Sequence, residues 1–262
     1  MSYSTTKPGV FHRDGACGSG TAALAGLVMA ALLVPASALA QQKSLYVRGS
    51  VGVAQQTLSG WNNSTRVEGL PLNFRGLGAA TSAGVEAGYR FHGAVSAGVG
   101  LTSQKSSTHH AFADKTLKTT GSTDATLSLV ALYGTASIWL RGDDGFYLSE
   151  QIGMISGKAD AAIAFRDTLS RPQLLVDERG SWHRLWWMLG VAAGYERHFT
   201  RGPLVYAEVG LRYQDLGDMD GTLSGIASRP RLGPLRDGDQ NMITDFSGVR
   251  GVIGLGYRLR IR

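Results

Sequence analysis

The amino-acid sequence predicts an all-β fold, an eight-stranded antiparallel up-and-down transmembrane β-barrel. Three observations predict it. Apolar and polar residues alternate over repeated stretches, so one face of each predicted strand is apolar. Glycine is abundant, with 36 residues against 7 prolines, which favours turns and crowded strand faces over packed helices. The connections between predicted strands alternate between short and long, which is typical of barrels in a bacterial outer membrane.

The alternation defines eight strands, and no convincing helical period after residue 41 extends past two turns. The predicted strands span residues 45–56, 81–91, 95–104, 126–140, 146–156, 185–199, 204–214 and 247–261. The second, fourth and sixth strands are followed by the brief segments HGA, RGDDG and TRGP. The other connections are long polar segments at residues 57–80, 105–125, 157–184 and 215–246. This segregation predicts periplasmic turns at one end and four extracellular loops at the other.

The two faces of each strand are predicted to meet different environments. In AGVEAGYRF the odd-numbered residues are mostly apolar, whereas the even-numbered ones include Glu86 and Arg90, and GVAAGYERHF, YAEVGLRY and GVIGLGYRLRI repeat the pattern. We expect the apolar face to contact lipid and the other face to fill the lumen, because an eight-stranded barrel is just wide enough for side chains to fill.

Opposite charges on adjacent inward faces predict a hydrogen-bonded network that blocks ions, because unpaired charges in a narrow lumen are costly. The predicted lumen charge network consists of Arg48, Glu86, Arg90, Glu196, Glu208, Arg212 and Arg258. Arg250 and Arg260 have the same parity and belong to the inward set. A soluble lipocalin-type barrel is the alternative, and it would place these charges in a cavity that should be apolar.

Aromatic residues near the short turns predict a girdle at the membrane interface. The predicted girdle consists of Tyr89, Phe91, Trp139, Phe146, Tyr147, Tyr195, Phe199 and Tyr257. The fifth strand fits the pattern poorly, because one of its faces offers Glu150 to lipid and the other offers Ser149 and Gln151. A β-bulge in this strand would resolve the conflict.

The N-terminus has the layout of a secretory signal peptide, with basic residues, an apolar run at 21–36 and small residues up to Ala40. A membrane anchor is the alternative, but it needs about 20 apolar residues and this run is interrupted by Pro35. We therefore predict a signal peptide at residues 1–40 and an outer-membrane barrel domain at residues 41–262. The single cysteine, Cys17, lies in the predicted signal peptide, so the mature chain is expected to form no disulfide.

The sequence resembles the small eight-stranded outer-membrane barrels, a family that includes the OmpA transmembrane domain and the opacity-type surface proteins. The resemblance rests on the opening LYVRGSVGVA, the repeated AGYRF and AGYERHF, YAEVGLRYQDLG and the closing GVIGLGYRL. It implies a monomer placed in the membrane by the barrel-assembly machinery. The chain departs from the family by ending on Ile261 and Arg262 rather than on an aromatic residue.

The function expected from these features is a structural or surface-interaction role, with a host or surface ligand bound through the loops. A small-solute pore is the alternative, followed by an enzyme that modifies lipid A. A deacylase of that kind needs a lipid-facing His and Ser, and the nearest match, His198 with Thr200, lies at the short-turn end on the lumen side. We therefore predict no catalytic residue and no cofactor.

Other candidate sites are weaker. SWHRLWW predicts an interface anchor and contact with lipopolysaccharide phosphates through Arg179, His183 and Arg184. The adjacent His109 and His110 are interpreted as solvated loop residues, and DLGDMDG as a polar rim rather than a calcium loop. The net charge of +6 comes without a basic run or a nucleic-acid-binding motif, so no nucleic-acid partner is predicted.

Overall fold

The computed structural model describes residues 43–58, 66–67, 70–71, 77–92, 94–114, 119–140, 144–167, 174–199, 202–225, 231–234, 236–237, 240–241 and 243–261. The predicted signal peptide at residues 1–40 lies outside the described residues and stays a prediction. Within the described ranges, no helix has the length and apolar character needed to cross a membrane.

Eight long strands form a closed antiparallel ring, which confirms the predicted fold class. They are β1 (Ser44–Gln56), β2 (Ala79–His92), β3 (Val95–Asp114), β4 (Thr119–Trp139), β5 (Gly145–Asp167), β6 (Leu174–His198), β7 (Pro203–Tyr213) and β8 (Gly248–Arg260). Each strand pairs with its sequence neighbours, and β8 pairs with β1 to close the ring, with Ser44 opposite Arg260. The end with the three short turns is called the turn end below, and the opposite end is called the loop end.

The four strands from β3 to β6 are much longer than the sequence predicts. They contain 20, 21, 23 and 25 residues, whereas β1 and β8 contain 13 each. Two predicted loops are therefore largely strand, because β3 ends at Asp114 and β4 begins at Thr119, while β5 ends at Asp167 and β6 begins at Leu174. The expectation of long polar loops there is wrong, because continuous pairing from Val95 to Asp114 and from Gly145 onward satisfies the backbone of these polar segments.

The predicted faces are confirmed on the strands for which the sequence assigned them, except at Arg260, the last residue of β8. Outward apolar side chains are solvent-accessible in the isolated chain, with Val53, Ile253 and Leu255 at 66%, 65% and 69% exposure. Beyond this apolar belt, most outward positions of β3 to β6 are polar, and small alanines occupy others. The polar positions are Ser103, Lys105, Ser107 and His109; Asp124, Thr126 and Ser128; Ser156, Lys158 and Asp160; and Arg179, Ser181 and His183.

The fifth strand contains no bulge between Tyr147 and Ala164, so the β-bulge predicted to resolve the conflict around Glu150 is not there. Its register shift lies between Phe165 and Arg166, near the end of the strand. Ser149 and Gln151 are buried on the inner face, and Glu150 lies on the outer face opposite Ala136 and Val191. An outward carboxylate is therefore a real feature of the belt.

The inside of the barrel has two different layers, of which the sequence predicts one. Most buried ion pairs lie at the turn end, whereas an apolar cluster occupies the loop end beside a few buried polar residues such as Gln56, Arg250 and Glu178. The apolar layer consists of Leu58, Leu77, Ala125, Leu127, Leu129, Ala131, Tyr133, Ile155, Ala159, Ala161, Ile163, Trp182, Met188, Leu216, Met219 and Phe246. Several of these residues come from connections rather than barrel strands, so the connections plug the ring from above.

The segment Asp215–Asp218 is part of this plug. It pairs with Ile243–Asp245, and the left-handed φ of +58° at Gly217 turns the chain there. Leu216 and Met219 are fully buried, so the interpretation of DLGDMDG as a polar rim is wrong. Leu216 and Met219 pack in one buried cluster with inward apolar side chains of the long strands. The polar composition of the segment itself does not indicate this packing.

The structure corrects two further predictions about which side chains point into the lumen. Trp139 and Tyr147 are buried and point inward, so they do not belong to the aromatic girdle. Arg260, at the end of β8, is exposed rather than inward. The remaining predicted girdle aromatics keep accessible rings on the outer face, and Phe146 contacts Tyr195 with ring centroids 5.1 Å apart.

Candidate functional site

Arg48 is the centre of the charged layer. It lies on the inner face of β1, and its side chain is 2% exposed. Its Nη2 is 2.9 Å from Glu86 Oε1 on β2 and 3.9 Å from Glu208 Oε2 on β7, and its Nη1 is 3.8 Å from Glu196 Oε2 on β6. Ring closure makes this possible, because β6, β7, β1 and β2 come together around one narrow lumen.

Tyrosine side chains frame the same cluster, and the sequence prediction did not include them. Tyr46 Oη donates to Glu86 Oε1 at 2.9 Å, and Tyr147 Oη donates to Glu208 Oε2 at 3.1 Å. The Arg48 guanidinium stacks near three rings, with its Cζ 4.7 Å from the Tyr206 centroid and 5.5 Å from the Tyr147 centroid. Tyr46 and Tyr206 are even-numbered residues on strands whose even positions are predicted to face the lumen, so the sequence pattern could have identified these two tyrosines.

Glycine makes room for these rings. A Cβ placed on Gly88 would lie 2.4 Å from Tyr46 Oη, and one on Gly194 would lie 2.3 Å from Tyr147 Cζ. Gly254 has the same relation to Tyr206. The glycines on inward positions are therefore the complements of the large inward side chains, as a filled eight-stranded barrel requires.

Arg90 and Arg258 lie closer to the turn end. Arg90 Nη1 is 3.5 Å from Glu196 Oε1, and its guanidinium Cζ is 3.8 Å from the Trp139 ring centroid. Arg258 Nε donates to Ser44 Oγ at 2.7 Å, and its Nη1 is 3.4 Å from His198 Nε2. His198 Nε2 is in turn 2.6 Å from Glu196 Oε1. These groups extend the Arg48 cluster toward the turn end.

Arg212 lies apart from the other six members of the predicted network. Its Nε donates to Gln151 Oε1 at 3.0 Å and its Nη1 to Thr102 Oγ1 at 2.9 Å, while its Cζ is 5.1 Å from the Tyr133 ring centroid. No carboxylate lies within 4 Å of Arg212 among the residues that the structure describes. Arg250, opposite Gly210 on the neighbouring strand, is buried beside it.

The predicted lipopolysaccharide residues divide between two faces of β6. Arg179 and His183 point outward above the apolar belt, and the Arg179 side chain is 78% exposed. Arg184 has the opposite parity, where Nη1 donates to the carbonyl oxygen of Asp218 and the guanidinium stacks on Trp186 at 4.7 Å. Arg184 therefore holds the plug segment and does not extend the outward basic group.

A basic residue from the neighbouring strand joins the outward group. Lys158 on β5 lies opposite His183, and its Nζ is 2.8 Å from Asp160 Oδ2. Burial raises the pKa of Asp160, but hydrogen bonds from Lys158 and Ser181 outweigh it and leave this pKa below its ordinary value. Asp160 is thus an anion that partly neutralises this surface.

His109 and His110 lie in β3 rather than in a loop, which corrects their interpretation. His109 is opposite Asp124 on β4, and its Nδ1 is 2.6 Å from Asp124 Oδ1 at an exposed position. The pair could not be found from local spacing because its members come together only through hairpin register. Within the described ranges, no three His, Cys, Asp or Glu residues are grouped so that they could hold a metal ion.

No protein-family model and no curated protein sequence matches the chain. Solved structures similar to it include OprG of Pseudomonas aeruginosa, with 14% identity and a TM-score of 0.45 over 84% of this chain and 98% of that one. A major outer membrane protein of Thermus thermophilus is 11% identical, with a TM-score of 0.45 over 83% of this chain and 99% of the other. Ail, the attachment invasion locus protein of Yersinia pestis, is 12% identical, with a TM-score of 0.37 over 84% and 99%. At these identities the likeness does not extend to function.

Proposed function

We propose that this chain is a monomeric β-barrel of a bacterial outer membrane, closed to solutes, which acts as a structural and surface-interaction protein. One observation carries the membrane part of the proposal, the closed apolar belt on the outer face. A contiguous apolar surface of this extent is rare on soluble monomers, whereas a closed barrel is one of the two backbone arrangements that can span lipid.

The height of the belt fits a bilayer. Aromatic pairs bound it on β6, with Trp187 contacting Tyr213 at the loop side and Tyr195 contacting Phe146 at the turn side. Trp187 and Tyr195 are eight residues apart, which corresponds to about 26 Å along a strand. A strand tilt of about 40° reduces this to about 20 Å, close to the apolar band of known outer-membrane barrels.

The contents of the lumen favour a closed barrel over the alternative, a small-solute pore. The Arg48 cluster spans the turn end, and the apolar layer with Leu216, Met219 and Phe246 fills the loop end. A solute would have to displace buried ion pairs and then an apolar core. Planar-bilayer recordings test this point: the wild-type protein should show little or no steady conductance, and a stable open channel would favour the pore.

The long strands β3 to β6 support the surface role. A membrane-spanning strand needs about 9 to 11 residues, so these strands continue well beyond the belt and display polar outward side chains. Such a rigid polar sheet can present a binding surface without the ordering cost of a free loop. His183 and Arg179 lie four and eight residues beyond Trp187 on β6, or about 10 Å and about 20 Å above the belt. Lipopolysaccharide phosphates above the belt would accept their hydrogen bonds.

The hairpin formed by β3 and β4 can be shortened above the belt without disturbing the belt. Ser107 and Thr126 are paired across β3 and β4, so residues 108–125 can be replaced by Asn-Gly, which forms a tight hairpin turn. We expect this variant to fold, as judged by heat-modifiable migration in gels, and to reduce adhesion or serum survival of cells that carry it. Unchanged adhesion and survival together with reduced solute permeability would contradict the surface role and support the pore.

Lipopolysaccharide contact has a separate test. The double variant Arg179→Gln, His183→Gln should retain less lipopolysaccharide through purification than the wild type. The matched control is Arg260→Gln, an exposed arginine at the opposite end of the barrel. Equal amounts in all three proteins would exclude this contact.

A further inference from the structure

We propose that the barrel lumen contains a binding site for one small monatomic anion of the halide class, formed by Arg212 and Arg250. These two arginines lie on adjacent strands, β7 and β8, and both point inward. They are 5% and 6% exposed. The site is distinct from the Arg48 cluster, because Arg250 lies opposite Ala54 near the loop end of β1.

The positions of the buried glutamates leave these two arginines without a nearby counterion. Near the turn end, the three arginines Arg48, Arg90 and Arg258 accompany the three glutamates Glu86, Glu196 and Glu208. A fourth buried glutamate, Glu178, lies on β6 twelve residues beyond Gly190, the residue opposite Arg212, and is therefore remote from both arginines. Arg48 contacts all three glutamates, and Arg90 shares Glu196. No ion pair reaches Arg212 or Arg250 from any described residue. Among the described residues, these two buried positive charges thus have no carboxylate within 4 Å, which costs free energy unless an anion accompanies them.

Hydrogen-bond donors at the two arginines are also free. Arg212 uses Nε and Nη1 on Gln151 and Thr102, and its buried Nη2 has no partner in the described part of the chain. Arg250 Nε is likewise buried without a partner. A guanidinium carries five N–H donors and no acceptor, so the group that satisfies these nitrogens must accept hydrogen bonds.

A small cavity lies between the two side chains. Arg212 and Arg250 line it together with Gln56, Gln104 and Gln214, and its volume is about 10 Å³. This is about the least volume that admits a water-sized ligand, so phosphate and sulfate are too large. No carboxylate belongs to the described residues of its wall. Gln56 Nε2 donates to Gln104 Oε1 at 2.9 Å, and Gln56 Oε1 is buried without a partner in the described part of the chain. Reversing both amides keeps the bond and makes the buried atom without a partner an amide nitrogen, which is a further donor.

The test compares anions during folding, so that no exchange through the filled lumen is needed. The full mature chain is refolded in detergent with sodium bromide and crystallised, and anomalous scattering locates bromide. We expect one peak between the guanidinium groups of Arg212 and Arg250. A peak-free lumen, with only water density at this position, would overturn the proposal.

Thermal stability gives an independent measurement. Protein refolded in sodium chloride should unfold at a higher temperature than protein refolded in sodium gluconate of equal ionic strength, because gluconate is too bulky for the cavity. The double variant Arg212→Gln, Arg250→Gln should lose this difference, and the control Arg260→Gln should keep it. A difference that persists in the double variant would assign the effect to the protein surface and contradict the site. If the double variant does not fold, the bromide map of the wild-type protein decides alone.

Discussion

Removing the Arg48 guanidinium should destabilise the barrel strongly. In Arg48→Ala, Glu86, Glu196 and Glu208 lose a cation that lies 2.9 to 3.9 Å from their oxygens. Breaking a buried pair by deleting one partner costs about 3 to 5 kcal/mol, because an uncompensated charge remains. Loss of the guanidinium from the Tyr206 ring, 4.7 Å away, removes about another 1 kcal/mol.

The assay is reversible denaturant unfolding of the barrel in lipid vesicles, followed by tryptophan fluorescence. We expect the free energy of unfolding to fall by about 4 to 6 kcal/mol in Arg48→Ala. The control Arg260→Ala should change it by less than about 0.5 kcal/mol, since Arg260 is exposed. A loss below about 1 kcal/mol in Arg48→Ala would refute the reasoning that the cluster is a tightly coupled buried unit.

The same cluster links stability to permeability. The double variant Arg48→Ala, Glu208→Ala removes one positive and one negative charge, so the net charge of the lumen is unchanged while side-chain volume is lost. We expect this variant to conduct ions in planar bilayers more than the wild-type protein does. Equal conductance in the two proteins would place the barrier elsewhere, in the apolar layer at the loop end.

Four further outcomes follow from the structure. Val209→Arg should cost about 2 to 4 kcal/mol of barrel stability in lipid vesicles, whereas Ser107→Arg, above the belt, should cost almost nothing; equal tolerance would contradict the membrane assignment. Glu150→Leu should stabilise the barrel by about 1 kcal/mol, because it removes a lipid-facing carboxylate; a loss of stability would indicate that the carboxylate has a partner. Gly254→Val should reduce the yield of folded, heat-modifiable protein, because even a Cβ at this position would lie 2.3 Å from an inward tyrosine ring; a normal yield would show that the ring can move. Mass analysis of the exported protein should find Gln41 at its start, and a mature form that retains the apolar run at residues 21–36 would indicate an anchor.

The predicted lumen charge network shows how far a parity argument reaches. Parity places Arg48, Glu86 and Glu208 on the inner face, because successive side chains on a strand alternate between faces. It cannot determine which charges meet, since that depends on strand tilt and register around the closed ring. Arg212 has the same parity as Arg48 but lies with amide and hydroxyl groups instead of carboxylates.

The lengths of the strands could not be predicted for a related reason. Residues 105–125 and 157–184 are polar and lack the apolar belt pattern, so the sequence favours loops. Their strand structure comes from pairing with each other, as with His109 opposite Asp124. Such cross-strand pairs stabilise the strands only once the hairpin has formed. The sequence of one segment alone therefore does not show that the segment is a strand.

The sequence by itself determined the all-β class, the strand parity, the lipid-facing set and the short turns. These features are local, because a period of two and a turn composition can be recognised within about ten residues. Only the tertiary structure decided the tyrosine frame around Arg48, the apolar plug that buries Leu216 and Met219, and the isolation of Arg212 with Arg250. Each of these depends on side chains from strands or connections far apart in the chain, which ring closure brings into one narrow lumen.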